Sequence, residues 1–329
     1  MSNERFYLLF RQVFLEVEQV LRQWQTDSAQ SRQLNAALDK LRRDFFSDKV
    51  FPALIGPWLA WQALHPESQT YALATLGAAH TLFYAFLDLT DDVEDHELSE
   101  TDWPPDSEPV AINTGTGLLF LALLALERLS KQGVSQEVIA HLRLMFCQAG
   151  WSLTAGQHRD LISPQGVFKS PDEAILTMKL KTGTSVKLYF QTAAHLAGAS
   201  AEVENCFAQL GEEIGIMSQM RGDYLNIWEY LPSSDLSNRC QTLPVLIGLE
   251  QLSGSDRETL LTALEQADQD QAAHTVIRYL LDKCQCRLYL NRYLEERLLK
   301  ARIYLKELAK AGVQVDELDL FLARIKPID

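Results

Sequence analysis

Hydrophobic residues recur along this chain at steps of three and four positions, which is the period of an amphipathic α-helix. Sustained alternation with a period of two, which marks strands, is absent, and the hairpin signals Asn-Gly and Asp-Gly do not occur. Breakers such as Gly56-Pro57 and Trp103-Pro104-Pro105 separate the periodic segments. The pattern predicts helices over roughly 4–25, 33–46, 53–65, 70–90, 112–131, 136–155, 172–198, 203–230, 256–266, 271–310 and 316–325.

These segments run the length of the chain without a repeat, a low-complexity linker or a shift in composition. We therefore predict an all-α fold, a single domain over 1–329, built as a helical bundle of about ten or more helices. A length of 329 residues is sufficient for such a domain to bury a sizeable core.

Composition narrows the function classes. Lys and Arg total 30 and Asp and Glu total 44, so the formal net charge is −14, which argues against a nucleic-acid partner. The longest apolar run, 118–126, is shorter than the roughly 20 residues of a spanning helix, and the N-terminus lacks a signal-peptide pattern. Five scattered cysteines suit a reducing compartment. We expect a cytoplasmic protein without a membrane span.

The negative charge is concentrated in one part of the chain. Residues 50–127 contain no Lys or Arg but hold twelve Asp and Glu. Within them, Asp88, Asp91, Asp92 and Asp95 have the spacing that places carboxylates on one helix face. Carboxylates aligned on a half-buried helix face repel one another unless cations lie between them. Mg²⁺ prefers oxygen ligands such as these carboxylates, and it commonly binds substrate phosphates at the same time. A solvated acidic helix end is the simpler alternative.

The turns before these carboxylates are apolar. Phe86 precedes Asp91 by about one turn and Phe83 by about two, with Leu87 beside them, at ~1.5 Å of rise per residue. This order predicts a metal–phosphate mouth above an apolar shaft. Ordinary core aromatics would give the same pattern.

Three later segments carry complementary polar groups. The first is 156–160, with Gln157 and Asp160, and the second is 178–183, where a Gly inside a helix costs about 1 kcal/mol and indicates close packing or a substrate approach. The third is 219–229, which places a carboxylate and an amide three residues apart on one helix face.

At these residues the sequence resembles the trans-isoprenyl diphosphate synthase (polyprenyl synthetase) superfamily, which has the class I isoprenoid synthase fold. Five family motifs have counterparts in the same order over roughly 45–250. They are Asp91-Asp92-Val93-Glu94-Asp95, Gly156-Gln157-His158-Arg159-Asp160, Lys181-Thr182-Gly183, Gln219-Met220-Arg221-Gly222-Asp223-Tyr224-Leu225-Asn226, and Asp235 through Arg239 to Thr242-Leu243-Pro244.

The resemblance implies helices around a central cavity, a motif-bearing core over about 45–250, covering helices over about 251–329, and a homodimer. It also implies that the two acidic motifs hold Mg²⁺, with three ions when diphosphate is bound. These ions would promote departure of the diphosphate from an allylic substrate. The catalytic residues expected are Asp91, Asp92, Asp95, Lys181 and Asp223, and the metal ligands are Asp91, Asp95, Asp223 and Asn226. The substrate-binding residues expected, including the aromatic shaft, are Phe83, Phe86, Leu87, Gln157, Lys181, Thr182, Gln219 and Arg239.

Several departures from the family pattern bear on the acceptor. Chain-elongating members bind isopentenyl diphosphate through G-G-K-R-x-R-P, a His eight residues before D-D-x-x-D, and an R-R-G after it. Here 47–52 reads S-D-K-V-F-P, Phe83 takes the place of the His, and nothing like R-R-G follows Asp95. Since Arg binds phosphate through paired donors, losing these cations predicts an acceptor other than isopentenyl diphosphate.

The second acidic motif is also reduced, because Gly222 replaces its first Asp and so weakens the metal site expected there. With this feature and the altered acceptor site, the chain looks most like the ComQ-type branch, whose members transfer a prenyl group to a tryptophan of a peptide. Our first hypothesis is therefore a prenyltransferase that ionises a short allylic diphosphate, of about C10–C15 because Phe83 and Phe86 would floor the pocket, for such an acceptor. The alternatives are a terpene synthase of the lyase class, a conventional polyprenyl diphosphate synthase, and a catalytically reduced regulatory subunit.

Overall fold

The structure, a computed structural model, describes residues 3–25, 27–46, 52–65, 71–95, 97–98, 103–104, 106–162, 168–325 and 328. The counterpart of the isopentenyl diphosphate motif at 47–51 lies outside these residues, as does most of the segment that follows Asp95. Within the described ranges the chain is helical and contains no β-strand, as the period of its hydrophobic positions predicts.

The α-helices are α1 (Asn3–Gln23), α2 (Ser28–Phe46), α3 (Pro52–Leu64), α4 (Tyr71–Glu94), α5 (Glu108–Glu127), α6 (Gln136–Leu161), α7 (Pro171–Met178), α8 (Thr184–Leu196), α9 (Ala201–Trp228), α10 (Ser234–Ser237), α11 (Leu243–Gln251), α12 (Gly254–Gln266), α13 (Gln271–Lys283), α14 (Cys286–Lys310) and α15 (Asp316–Leu322). A 3₁₀ turn, Arg128–Gln132, follows α5, and a π-helical turn, Lys179–Gly183, joins α7 to α8.

The observed helices divide two of the predicted segments. The segment predicted over 271–310 is two helices, because Gln285 adopts the left-handed conformation with φ 57° and ends the first of them. No Gly or Pro marks this break, and a non-glycine residue at positive φ is uncommon, so the pattern of hydrophobic positions does not reveal it. The segment predicted over 172–198 is interrupted by the π-helical turn.

The chain folds into two compact units. The first unit comprises Met1–Ala149, Leu188–Ala208 and Ala311–Glu317, and the second comprises Gly150–Lys187, Gln209–Lys310 and Leu318–Asp329. Both are assembled from separated stretches of sequence. The single domain over 1–329, with its core and covering parts, stays a prediction.

The core of the first unit is α4, which packs against α1, α3 and α5. Its buried face includes Leu76, Leu82 and Phe83, and it also buries His80, whose Nε2 lies 2.9 Å from Thr192 Oγ1. Burial lowers the pKa of His80 to about 3, so the ring is neutral and packs as an aromatic, stacked on Phe146 with centroids 5.2 Å apart. The apolar residues of α4 are therefore buried in the core of the first unit.

Two helical stretches, Tyr71–Glu94 and Glu108–Gln132, are long and apolar enough to cross a membrane by length and composition. In the first, 72% of the most apolar window is buried inside the protein, and in the second 44%. Core helices of soluble proteins have the same length and composition, so these two stretches are weak evidence for a span.

The second unit is organised around α11, whose residues from Leu243 to Leu249 are all buried. Helices α7, α12, α13 and α14 pack against it. Pro244 stands in the first turn of α11, where its missing N–H group leaves no unpaired donor. The Thr-Leu-Pro motif of the sequence therefore begins a core helix, and α12 to α14 cover that helix.

Candidate active site

The carboxylates of the first acidic motif lie at the C-terminal end of α4, as the spacing predicts. Asp88, Asp91 and Asp92 are half-buried and Asp95, just beyond the helix, is exposed. The Asp95 backbone N–H still donates to the Asp91 carbonyl at 2.9 Å, which continues the helical geometry to the last acid. Negative charge at a helix C-terminus opposes the helix dipole, so the arrangement favours a cation nearby.

A lysine that the sequence motifs do not include meets this acidic face. Lys40 of α2 places Nζ 2.8 Å from Asp88 Oδ2 and 2.7 Å from Asp92 Oδ2. Burial acts to lower the pKa of Lys40, but the two carboxylates outweigh it and raise that pKa above its ordinary value. Burial also raises the pKa of Asp88 in spite of the lysine. Lys40 is separated from the motif by about fifty positions, so spacing gave no signal for it.

Replacing Lys40 by Met should lower the free energy of unfolding in metal-free buffer by about 1 kcal/mol, because two half-buried carboxylates lose their counter-charge. Added Mg²⁺ should then stabilise this variant more than it stabilises the wild type, since the ion meets a more negative face. Urea unfolding with EDTA and with Mg²⁺ measures both effects. Lys131→Met is the matched control, because Lys131 contacts the neutral Gln23 side chain. Equal responses of the two variants would contradict the assignment.

In the second unit, a carboxylate holds two lysines together. Asp160, near the end of α6, receives Lys169 Nζ at 2.6 Å and Lys181 Nζ at 3.2 Å. Two ammonium groups held close together by one carboxylate favour binding of an anion. Of this cluster, Lys181 is a predicted residue, Asp160 belongs to the quoted motif, and Lys169 was missed because it stands in no motif.

Close packing of glycines positions Lys181. Its π-helical turn lies against α9, where a Cβ on Gly215 would stand 2.5 Å from the Thr182 carbonyl oxygen. A Cβ on Gly156 of α6 would likewise approach Leu180 and Lys181 to 3.0 Å. Short π-helical segments occur frequently at functional sites. Gly183, which follows Lys181-Thr182, contacts α9, so it marks the close packing that is one of the two expectations for this position.

Gln157 has an unusual environment. Its Nε2 and Oε1 are both buried, and neither has a hydrogen-bond partner among the described residues. A buried amide without partners costs roughly 1–3 kcal/mol, so an unsatisfied group of this kind points to a ligand. Gln157 is one of the predicted substrate-binding residues and stands one turn before Asp160 on α6.

Three of the sequence motifs meet in one hydrogen-bond chain within the second unit. Thr182 Oγ1 donates to Gln219 Oε1 at 2.8 Å, and Gln219 Nε2 donates to Asp223 Oδ1 at 2.9 Å. The Leu243 backbone N–H donates to Asp223 Oδ2 at 3.0 Å. Burial raises the pKa of Asp223 to about 7, and charges of Asp235 and Asp160 add to this, while the two hydrogen bonds oppose it.

The other residues of the second acidic motif and its neighbour are also engaged. Asn226 Oδ1 accepts from Ser233 Oγ at 2.7 Å and from the Asp235 backbone N–H at 3.1 Å, so it holds the start of α10. Arg239, predicted to contact diphosphate, donates instead to the Glu265 carbonyl at 2.7 Å and to Asp268 Oδ1 at 2.8 Å. In this structure both side chains bind protein groups.

The predicted apolar shaft lies in the first unit. Phe83 is 1% exposed and packs against Phe146, with ring centroids 5.3 Å apart. Phe86 and Leu87 are half-buried, and the Phe83 and Phe86 rings are 6.0 Å apart. Phe83 thus has the surroundings of a core aromatic, whereas Phe86 and Leu87 keep accessible surface just below the acidic face.

The oxygen donors divide into two groups when tested as Mg²⁺ ligands. The carboxylates of α4 are half-buried or exposed and have the hard oxygen chemistry that fits the ion. Asp223 and Asn226 fit less well, because their oxygens already accept hydrogen bonds from protein groups and Asp223 is 4% exposed. The geometry therefore supports metal at the first motif more strongly than at the second.

Comparison with known proteins gives the family. A model of the polyprenyl synthetase family matches residues 53–281, which is more than half of the chain. The chain therefore belongs to the polyprenyl synthetase family, as its motifs predict. Polyprenyl synthetases are prenyltransferases, so the predicted enzyme class is the class of this family. The match does not single out the ComQ-type branch, which stays a prediction.

Individual relatives are distant in sequence. The short chain isoprenyl diphosphate synthase of Methanothermobacter thermautotrophicus is 24% identical over 213 residues, and the match spans 62% of this chain and 64% of that protein. Geranylgeranyl pyrophosphate synthetase from Pyrococcus horikoshii Ot3 has a similar fold, with a TM-score of 0.79, 19% identity and 99% of both chains covered.

A second solved structure is the geranylgeranyl pyrophosphate synthase from Corynebacterium glutamicum, complexed with isoprenyl diphosphate and magnesium. Its TM-score is 0.77 at 17% identity, covering 99% of this chain and 98% of that one. These similarities confirm the predicted all-α isoprenoid synthase fold.

Proposed function

We propose that this protein is a Mg²⁺-dependent prenyltransferase that ionises a short allylic diphosphate and transfers the prenyl group to an acceptor other than isopentenyl diphosphate. The family supports the reaction class, and magnesium together with an isoprenyl diphosphate is bound by the structural relative from Corynebacterium glutamicum. Asp91 and Asp95 are the ligands we assign to Mg²⁺, with Asp92 beside them. When bound there, the ion supplies Lewis acidity toward the diphosphate oxygens.

The observation that carries the proposal is the buried, unpartnered amide of Gln157, on the same helix as Asp160 with its two lysines. A diphosphate offers acceptors for an amide N–H and for ammonium groups. Lys181 and Lys169 would stabilise the charge that develops on the departing diphosphate, and Asp160 holds both in position for that task. Thr182 and Gln219 position the turn through their hydrogen bond.

The choice of acceptor rests on the cations of the first unit. Residues 50–127 contain no Lys or Arg, and Lys40, which does reach the acidic face, is committed to Asp88 and Asp92. A second diphosphate bound there would therefore meet carboxylates without the arginine forks that bind phosphate well. An acceptor without a diphosphate, such as a tryptophan of a peptide, avoids this repulsion.

Incubation with Mg²⁺ and geranyl, farnesyl or geranylgeranyl diphosphate, each with and without isopentenyl diphosphate, tests the proposal. Pyrophosphate release and product masses are measured, and a Trp-containing peptide is added in a parallel set. We expect pyrophosphate release that isopentenyl diphosphate does not increase, and prenylated peptide where a suitable peptide is present. Longer prenyl diphosphates would show a conventional synthase, and cyclic or linear hydrocarbons formed without acceptor would show a terpene synthase.

Phe86 should limit the chain length of the substrate. Because its ring lies one turn below the acidic face and keeps accessible surface, Phe86→Ala should shift the preferred substrate upward by about one isoprene unit. Relative kcat/KM values for the geranyl, farnesyl and geranylgeranyl substrates measure the shift. Tyr7→Ala removes an exposed ring from α1 of the same unit and serves as the control. An unchanged preference in Phe86→Ala would refute the shaft.

The engaged oxygens of Asp223 and Asn226 favour a second candidate, a catalytically reduced subunit that regulates a complete synthase. If no mixture releases pyrophosphate while the protein binds an active relative, this candidate replaces the first.

The resemblance also implies a homodimer, and the exposed side chains of Ile112, Phe120 and Leu144 in the first unit are the apolar surface that we assign to it. A cytoplasmic location accompanies this proposal.

A further inference from the structure

Three side chains with metal-binding chemistry meet in the first unit, and none belongs to the five sequence motifs. They are His141 of α6, His195 of α8 and Glu204 of α9. One ligand atom from each can be chosen so that all three lie within 4.8 Å of one another. His195 Nδ1 is 2.8 Å from Glu204 Oε2, and the two imidazole rings stack with centroids 4.5 Å apart.

The cluster is oriented by its surroundings. Gln191 Nε2 donates to Glu204 Oε1 at 2.9 Å, which leaves Oε2 directed to His195. Burial acts to raise the pKa of Glu204, but the hydrogen bonds from His195 and Gln191 and the nearby imidazoles outweigh it and lower that pKa. Two imidazoles beside a carboxylate form a donor set suited to a divalent transition metal.

We propose that His141, His195 and Glu204 bind one divalent transition metal ion of the Zn²⁺ type, at a site that is built from three helices. The ion takes the place of the proton that His195 and Glu204 share, and that proton leaves to solvent. Three protein ligands leave a fourth position open for water. The site joins α6, α8 and α9, so its effect is on the stability of the first unit.

The geometry requires a small adjustment. Zn²⁺ holds nitrogen and oxygen ligands at about 2.0–2.2 Å, so neighbouring donor atoms in a tetrahedral site stand roughly 3.3 Å apart. The pair His195 and Glu204 is already closer than this, and His141 has to approach. Since His141 is exposed on α6, its side chain has room to turn.

Zinc retention tests the proposal directly. The protein is stripped with a chelator, incubated with Zn²⁺ in a large excess of Mg²⁺, which occupies the carboxylate clusters, and dialysed. Bound zinc is then measured by mass spectrometry of the metal. We expect about one equivalent in the wild type and an affinity about 100-fold weaker in His141→Ala. His158→Ala, which removes another exposed histidine of α6, is the control and should retain zinc.

Cobalt provides a second measurement. Co²⁺ in a site with nitrogen and oxygen ligands and low coordination number absorbs in the visible range, and we expect this absorption in the wild type and in His158→Ala but not in His141→Ala or Glu204→Gln. Circular dichroism establishes that each variant is folded. If His141→Ala and Glu204→Gln are folded and retain zinc like the wild type, the site does not exist. Neither measurement depends on catalytic activity, so its outcome is independent of the function proposed above.

Discussion

Replacing Asp91 by Ala is expected to reduce Mg²⁺-dependent release of pyrophosphate from the allylic substrate by about 10³-fold, or roughly 4 kcal/mol of transition-state stabilisation. Asp91 is a half-buried carboxylate at the end of α4, between Asp88 and Asp95 on the acidic face. Lys40 contacts Asp88 and Asp92, and Asp91 and Asp95 are the two residues of the first motif that we assign to the metal. Losing one hard oxygen ligand of Mg²⁺ weakens the main electrophile available to the leaving diphosphate.

Initial rates of pyrophosphate release across a Mg²⁺ titration provide the measurement. Glu137→Ala, which removes an exposed carboxylate from the first turn of α6, controls for the loss of one negative charge from the same unit. We expect Asp91→Ala to remain slow at all Mg²⁺ concentrations and Glu137→Ala to match the wild type. Unchanged rates in folded Asp91→Ala would remove the first motif from the mechanism.

Replacing Asp223 by Asn is expected to stabilise the protein, and more strongly as the pH rises. Burial raises the pKa of this carboxyl from an ordinary 3.8 to about 7, so the folded state holds its proton more tightly than the unfolded state. For the wild type, this group is neutral in both states below pH 4, and its stability contribution is lost as the pH rises through about 7. The loss amounts to up to about 4 kcal/mol.

An Asn side chain has no charge to desolvate and keeps hydrogen-bonding capacity toward both neighbours. Its oxygen can accept from the Leu243 N–H, and the Gln219 amide can turn so that its oxygen faces the new Nδ2, while the Thr182 hydroxyl rotates to accept. Urea unfolding of both proteins from pH 4.5 to 8.5 gives the difference in free energy at each pH. A constant difference over this range would show that Asp223 has an ordinary pKa in the folded protein.

The same variant separates the two roles that the second acidic motif can have. If Asp223 is a metal ligand as predicted, Asp223→Asn loses pyrophosphate release together with its dependence on Mg²⁺ concentration. If Asp223 acts through its hydrogen bonds to Gln219 and Leu243, the neutral variant keeps most of the activity. Each result is read against the stability measured in the same preparation.

Much of the fold follows from local pattern. Apolar residues at helical spacing predicted α4 and placed its three aspartates, with Asp95 just beyond the helix, on one face, because side-chain direction in a helix is fixed by a period of 3.6 residues. The break between α13 and α14 was not predicted, since Gln285 adopts positive φ without a glycine to mark it. The π-helical turn at Lys181 was not predicted either, because it depends on contact with Gly215 of another helix.

The sequence alone thus determined the helical class, the family and the position of the acidic motif, since all three depend on residue types at short fixed spacings. Tertiary structure decided which charges meet. It brought Lys40 to Asp88 and Asp92, placed Lys169 with Asp160, and buried Asp223 so that its pKa rises. These pairings join residues on different helices, and burial depends on every neighbour in space, so no local spacing encodes them.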